Sequence, residues 1–193
     1  MLDPSFRGRF EADAKKGRIL AAMIATPCSS FSLAQSRGGK ALRSRDHPRG
    51  IPQVLTERER ERIALGNACL DVTLFVIRVC DKHKIPWILE NPSSSYLWHD
   101  SSLQRLVCDF ADIHQCAFGA HWRKSTRLAC GNIRGERFNH LSDPKTSRCH
   151  GKHGYCSFRP QHKHVQLNGS AMTRAAAKYP PRLSHAIALT LLS

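Results

Sequence analysis

Apolar residues in this chain fall into three runs that predict the framework of the fold. The run at 19–26 is short, almost wholly apolar and closed by Pro27, which is typical of a buried strand. The run at 63–79 places apolar residues three and four positions apart, which predicts a helix with one buried face. The run at 85–89 is a second short buried strand. Strand, helix and strand in this order predict a crossover between two parallel strands.

Polar residues mark how these runs are connected. Thr56, followed three positions later by Glu59, forms a capping box, so we expect the helix to begin at Thr56 and to end near Lys82. Residues 29–53 are rich in Ser, Gly, Arg and Pro, and they are too many for an ordinary connection. They predict a long, mobile, functional loop.

The flanking sequence predicts shorter elements and one irregular segment. The predicted elements are helices at 3–16, 103–107, 171–178 and 183–192, and a closing pair of strands at 113–117 and 126–130 around Gly119. Residues 131–163 are polar, rich in Cys and His, and show neither helical nor strand periodicity. We expect a single α/β domain over 1–193, with this stretch as a small irregular insertion.

Composition narrows the cellular setting. No run of eighteen apolar residues occurs, so no membrane span is expected, and the N-terminus lacks the layout of a secretory signal. The sequence therefore predicts an intracellular protein, nuclear or cytoplasmic, whose eight cysteines are reduced thiols rather than disulfides.

Charge suggests the kind of partner. The chain carries a net charge of +15, and residues 113–193 alone hold 13 Lys and Arg against Glu136 and Asp143. A basic excess of this size favours a polyanion, because each neutralised phosphate releases condensed counterions. We expect the partner to be DNA or RNA, although a basic surface facing only solvent has the same composition.

A thiol and a carboxylate follow the two predicted parallel strands. Cys28 comes directly after the first strand and Glu90 directly after the second, so both fall at the carboxyl edge of the sheet. Open α/β sheets place their sites at this edge. Cys28 is therefore a candidate nucleophile and Glu90 a candidate acid, whereas a buried strand-end Cys and a capping carboxylate would be structural readings of the same residues.

Four segments, in order along the chain, resemble the DNA cytosine-5 methyltransferase family. Thr26-Pro27-Cys28-Ser29-Ser30-Phe31-Ser32 resembles the Pro-Cys catalytic loop of that family, and Leu89-Glu90-Asn91 resembles its Glu-Asn motif. Residues 118–128 are similar to its aromatic-Gly segment with alternating Arg, and residues 179–188 to its closing Pro-Pro turn and helix. The resemblance covers roughly residues 19–193.

The resemblance implies a fold and a chemistry. The fold would be a partial Rossmann-like, S-adenosylmethionine-dependent methyltransferase sheet formed by 19–130, with the insertion at 131–165 and closing helices at 171–193. Cys28 would attack C6 of cytosine, Glu90 would act as the acid at N3, and Arg127 would orient the base. By the same resemblance, Pro27, Asn91 and Pro181 would contact the methyl donor, and Arg123 and Lys124 are weaker candidates for Arg127's role. On the long loop, Arg37, Lys40, Arg43 and Arg45 would contact nucleic-acid phosphates, although a solvated run of charges has the same pattern. Arg123 and Lys124 are assigned to nucleic acid as well.

The chain departs from the family pattern at several points. Ser29 stands where Gln is usual, Pro92 follows Asn91, and His121-Trp122 replaces Pro-Gln. No Gly-rich donor loop precedes the first strand, so an upstream segment or a partner would have to complete both the sheet and the donor site. Without them, the alternative is a non-catalytic, basic nucleic-acid-binding protein stabilised by zinc.

The insertion supplies candidate zinc ligands. Cys149 and Cys156, with two of His153, His162 and His164, could complete the four-ligand tetrahedron that zinc prefers, and we assign His162 and His164. No Cys-x-x-Cys pair occurs in the chain, so a His-rich loop that only touches phosphates remains the other reading.

Overall fold

A computed structural model of the protein describes residues 4–28, 30–32, 41–52, 55–107 and 109–192. These residues form a mixed α/β structure with one four-stranded mixed sheet, a two-stranded hairpin and seven α-helices. In chain order, the α-helices are α1 Pro4–Lys15, α2 Glu57–His83, α3 Ser101–Gln104, α4 Gly135–Ser142, α5 Pro144–Ser147, α6 Gly169–Ala175 and α7 Pro181–Leu192. The strands are β1 Ala22–Ala25, β2 Trp87–Pro92, β3 Asp109–His114, β4 Ser125–Gly131, β5 Tyr155–Cys156 and β6 Arg159–Lys163.

The main sheet has the order β1-β2-β4-β3. β1 and β2 are parallel, as the sequence predicts, with Ala25 opposite Glu90. β4 runs antiparallel to both of its neighbours, β2 and β3. Among the described residues, β1 therefore has a strand on one side only.

Helices cover both faces of this sheet. On one face, α1 and α2 pack over Trp87 and Leu89 of β2, and on the other, α4 and α7 pack over Ile88. Side chains alternate between faces along a strand, so a run of consecutive apolar residues is what a strand covered on both sides requires.

The start of α2 confirms the predicted capping box. The Thr56 side chain accepts a hydrogen bond from the backbone N–H of Glu59, and the Glu59 carboxylate accepts one from the backbone N–H of Thr56. By length and composition, α2 would also be long and apolar enough to cross a membrane, but half of its most apolar stretch is buried inside the protein. Core helices of globular proteins meet the same criteria, so this feature is weak evidence for a membrane.

The predicted irregular insertion contains regular structure, which corrects the sequence analysis. Residues 135–147 form α4 and α5, and residues 155–163 form the β5–β6 hairpin. Phe138 and Leu141 of α4 are buried against the sheet together with α7. Strand β3 also begins earlier than predicted and is followed by a 3-10 helix, Gln115–Phe118. Short elements such as these carry too few residues to show a period.

Arg43 anchors the described part of the long connection between β1 and α2. Its side chain is 1% exposed, and its guanidinium lies 3.9 Å from the centre of the Phe31 ring. Its five N–H groups are matched by five acceptors: the backbone oxygens of Ser30, Pro48 and Ile63, the Ser30 hydroxyl and the Asn67 amide oxygen. The expectation that Arg43 binds phosphates is therefore wrong for this conformation, because no donor is left over.

A glycine on the surface of α2 leaves room for the Arg43 guanidinium and the Ser30 hydroxyl. A Cβ atom at Gly66 would lie 2.1 Å from the Ser30 hydroxyl and 2.7 Å from Nη2 of Arg43. Glycine at this position lets the connection lie directly on the helix.

Replacing Arg43 should destabilise the fold. We expect Arg43→Met to lower the free energy of unfolding by about 3 kcal/mol, because it leaves several buried carbonyl oxygens without donors. Urea denaturation measures this change. Arg45→Met, at an exposed position of the same connection, is the matched control and should change stability by less than about 0.5 kcal/mol. Equal effects of the two substitutions would contradict the anchoring role.

Candidate active site and metal centre

The parallel pairing of β1 and β2 brings Cys28 close to Glu90. β1 ends at Ala25, opposite Glu90, and Cys28 follows three residues later at the same edge of the sheet. The thiol is half-buried, and the carboxylate is 6% exposed. The Glu90 charge acts on the pKa of the Cys28 thiol, and the Lys124 charge acts on the pKa of both groups, so the two lie in one electrostatic environment.

Backbone contacts hold the Cys28 turn in place. The Asn91 side chain donates to the backbone oxygen of Thr26 over 2.7 Å, and the backbone N–H of Phe31 donates to the oxygen of Cys28 over 3.0 Å. Arg43 in turn holds Ser30, two residues after Cys28. The thiol therefore lies on a supported turn, joined by side chains to β2 and α2.

Glu90 has unused hydrogen-bonding capacity. Its Oε2 accepts a hydrogen bond from the Tyr179 hydroxyl over 2.9 Å, whereas its buried Oε1 has no partner among the described residues. Burial raises the pKa of Glu90, and Lys124 and the Tyr179 hydrogen bond oppose this shift only in part. A carboxyl group in this setting is suited to hold a proton and donate it to a ligand.

Cys28 is not activated in the unliganded protein. Burial raises the pKa of its thiol, the Lys124 charge lowers it, and the Glu90 charge raises it. At neutral pH the residue is therefore mainly a thiol. A base or a substrate that takes its proton would be needed before it could attack.

Arg127 lies away from this site. In the pairing of β2 with β4, Arg127 lies opposite Asn91, and Leu128 lies opposite Glu90. Opposite residues point to the same face of a sheet and successive residues of a strand point to different faces, so the side chains of Arg127 and Glu90 lie on different faces. Arg127 forms a two-pronged ion pair with Asp112, with distances of 2.7 and 2.9 Å, and lies over the ring of Phe110. The cation whose charge lowers the pKa of both Cys28 and Glu90 is instead Lys124, the weaker candidate for this role in the sequence analysis.

The three predicted donor-binding residues do not share one cavity. Pro27 borders a groove of about 550 Å³ between α1, β1 and α2, whereas Pro181 borders another of about 450 Å³ beside Phe118 and Phe158. Asn91 is fully buried, and its side-chain amide donates to the backbone oxygen of Thr26. Its Oδ1 has no partner among the described residues. These positions alone do not support a site for S-adenosylmethionine.

The other predicted phosphate-binding residues have different placements. Arg37 and Lys40 lie outside the described residues, and Arg45 and Arg123 are exposed. Lys124 is half-buried, and its ammonium group donates to the backbone oxygen of Ala176 over 3.3 Å. Arg45 and Arg123 therefore keep the exposure that a phosphate contact needs.

Four buried side chains in a second part of the protein could hold a metal ion. They are Cys116, Cys149, Cys156 and His164, and their ligand atoms all lie within 4.8 Å of one another. Cys149, Cys156 and His164 agree with the sequence prediction, whereas the fourth predicted ligand, His162, lies outside this group. Its Nε2 is instead 3.0 Å from the backbone oxygen of His121.

The thiols of this cluster differ electrostatically. Burial raises the pKa of Cys116, and the neighbouring Cys149 and Cys156 raise it further. Burial also acts to raise the pKa of Cys149, but hydrogen bonds from the backbone and side chain of Ser157, the backbone of Gly151 and the thiol of Cys116 outweigh it and bring the value to about 7.

Sequence reasoning missed two residues of these sites. Cys116 lies far from the other cysteines of the cluster along the chain, and no metal-binding spacing connects them. The only available signal was its position at the end of a predicted strand, next to a glycine turn. Tyr179 is the first residue of the segment that resembles the closing Pro-Pro turn, and nothing local indicates that its hydroxyl reaches Glu90.

No protein-family model, curated protein or solved structure matches this chain. Its family is therefore not established by similarity.

The charges around Cys28 should control its reactivity. We expect Glu90→Gln to shift the pH midpoint of Cys28 alkylation downward, because a negative neighbour of the thiolate is removed, and Lys124→Met to shift it upward. Alkylation is followed at the peptide containing Cys28 by mass spectrometry. The exposed Glu136→Gln is the control and should leave the midpoint unchanged. Shifts in the reverse directions would contradict the placement of these charges.

Proposed function

We propose that the Cys28–Glu90 site binds a cytosine base turned out of a nucleic acid and attacks it, as in the DNA cytosine-5 methyltransferases that the sequence resembles. The observation that carries the proposal is that Cys28 lies within the electrostatic influence of Glu90, a buried carboxyl group one of whose oxygens has no partner among the described residues. A base inside a duplex could not reach this edge of the sheet, so it must leave the stack.

The first half of the reaction is an addition. Cys28 gives its thiol proton to water, its sulfur forms a bond to C6, the C5–C6 double bond opens, and Glu90 gives its proton to N3. The ring becomes an enamine with a nucleophilic C5. The raised pKa of Glu90 supports this role, because the group must carry a proton when the base arrives.

The second half is a methyl transfer followed by elimination. S-adenosylmethionine, if bound, would supply the methyl group for C5. C5 would then give its proton to water, the C6–sulfur bond would break with its electron pair on sulfur, and N3 would return its proton to Glu90. The C5–C6 double bond is thereby restored, and Cys28 regains its proton from water. We assign the donor no cavity among the described residues; a segment or partner that pairs with the free side of β1 would supply it.

We assign the orientation of the base to Lys124 and Tyr179 rather than to Arg127. Lys124 acts electrostatically on both Cys28 and Glu90, and Tyr179 fixes one oxygen of Glu90. Arg127, bound to Asp112 on the opposite face, instead supports the sheet. The exposed Arg45 and Arg123 are the phosphate contacts that we retain from the sequence.

A second candidate is a non-catalytic nucleic-acid-binding protein that keeps this scaffold and is stabilised by zinc. The Cys/His cluster and the basic C-terminal part of the chain favour it. Both candidates bind nucleic acid, so binding by itself does not separate them, whereas attack on C6 does.

Hydrogen exchange at C5 tests the attack without a methyl donor. Addition of Cys28 to C6, protonation of C5 and reversal replace deuterium at C5 with hydrogen from water. We expect the chain to release deuterium from C5-labelled cytosine in DNA, measured by mass spectrometry of the nucleosides. Cys28→Ala should abolish the release, and Glu90→Gln should slow it about 100-fold or more.

Cys69→Ala, at another half-buried thiol, is the matched control and should keep the wild-type rate. Salt-sensitive binding of DNA and RNA without exchange in either would contradict the catalytic proposal and favour the second candidate. Exchange that survives Cys28→Ala would exclude Cys28 as the nucleophile.

A further inference from the structure

A cluster of three thiols and one imidazole joins two distant parts of the chain. Cys116 lies in the 3-10 helix that follows β3, Cys149 follows α5, Cys156 ends β5, and His164 follows β6. All four are at least nine-tenths buried, and their ligand atoms are within 4.8 Å of one another.

This cluster does not resemble an ordinary apolar core. Cys116, Cys149 and Cys156 form a buried group of their own, with no aliphatic or aromatic member. The hairpin that carries Cys156 has only two strands, and Tyr155 and Phe158 on it are substantially exposed. A two-stranded hairpin is marginal in water, so something other than apolar burial has to hold residues 148–164 in place.

We propose that Cys116, Cys149, Cys156 and His164 bind one structural zinc ion. Three thiolates and one imidazole form a common tetrahedral ligand set for zinc, and they are poor ligands for magnesium or calcium, which prefer oxygen. Four protein ligands fill the tetrahedron and leave no position for water or substrate. The site is therefore structural and separate from the chemistry at Cys28.

The backbone around the cluster supports metal binding. The N–H of Ser157 donates to the sulfur of Cys149 over 3.3 Å, which stabilises a thiolate, and Nε2 of His164 lies 3.8 Å from the same sulfur. A Cβ atom at Gly151 would lie only 1.8 Å from the backbone oxygen of Tyr155. The turn after Cys149 can close this tightly only with glycine there.

Cys116 is the ligand through which the metal site would link the hairpin to the main sheet. Cys116 belongs to the connection between β3 and β4, whereas the other ligands belong to residues 149–164. Further contacts run alongside: the N–H of Val165 donates to the oxygen of His121 over 2.9 Å, and Arg159 donates to the oxygen of Ala120. Zinc therefore fastens the hairpin to the connection that leads into Lys124, whose backbone oxygen accepts from Gln115.

Metal content and cobalt spectroscopy of the full chain test the proposal. We expect about one zinc per chain after purification without chelator, and its removal should lower the melting temperature. Replacement by Co²⁺ should produce sulfur-to-cobalt charge-transfer absorption together with the visible bands of a tetrahedral ion. Neither readout depends on any reaction at Cys28.

Two matched pairs of variants identify the ligands. We expect His164→Ala to lose the metal and His162→Ala to retain about one equivalent, although the two histidines are neighbours on the same hairpin. Cys116→Ser should lose thiolate-to-cobalt intensity, whereas Cys130→Ala, which removes another buried thiol, should not. If the ligand variants do not fold, the wild-type cobalt spectrum still reports thiolate ligation and tetrahedral geometry.

Three results would overturn the proposal. They are wild-type protein without bound metal and without cobalt–thiolate absorption, a disulfide between any two of the three cysteines in protein prepared with excess zinc, and metal binding that requires His162 but not Cys116.

Discussion

The parallel pairing of β1 with β2 is the constraint on which the rest of this structure depends. Two parallel neighbours cannot be joined by a tight turn, so the chain must cross a face of the sheet, and α2 makes that crossing. The same pairing places the turn after β1 beside the end of β2, which is how Cys28 comes near Glu90. Arg43 completes the arrangement, because its buried guanidinium joins the turn after Cys28 to the surface of α2. The position of the thiol is therefore a product of the sheet, the helix and one cation together.

Glu90 shows the conflict between stability and reactivity in this protein. Its folded-state pKa is raised mainly by burial, so the protonated form stabilises the fold at low pH, and that contribution is lost as the pH rises through the folded-state value. Tyr179 and Lys124 offset part of the cost of the charged form, and one carboxylate oxygen is still without a partner among the described residues. A buried carboxyl oxygen without a partner costs stability. A buried acid with free capacity is consistent with a group that awaits a ligand.

The Cys/His cluster and the Cys28 site are distinct but structurally connected. Cys116 lies at the beginning of the connection between β3 and β4, and Lys124 lies near its end. A backbone hydrogen bond between Gln115 and Lys124 closes this connection, and Trp122 donates to the side chain of Gln115. Whatever orders the cluster thus also orders the segment that carries the cation facing Cys28. A small basic region with almost no apolar core of its own can in this way help to shape a site in the main sheet.

Local patterns in the sequence determined the framework: the buried runs that became β1, α2 and β2, the capping box at Thr56, and the placement of Cys28 and Glu90 at one edge. Each depends on residues close together in sequence or on the geometry of a single crossover. Tertiary structure alone decided the rest. It turned Arg43 inward and Arg127 to the face opposite Glu90, brought Tyr179 to Glu90, and put Cys116 rather than His162 into the cluster. These outcomes depend on which strands become neighbours and on which face a side chain points to, and contacts between residues far apart in the chain leave no local periodicity or spacing to read.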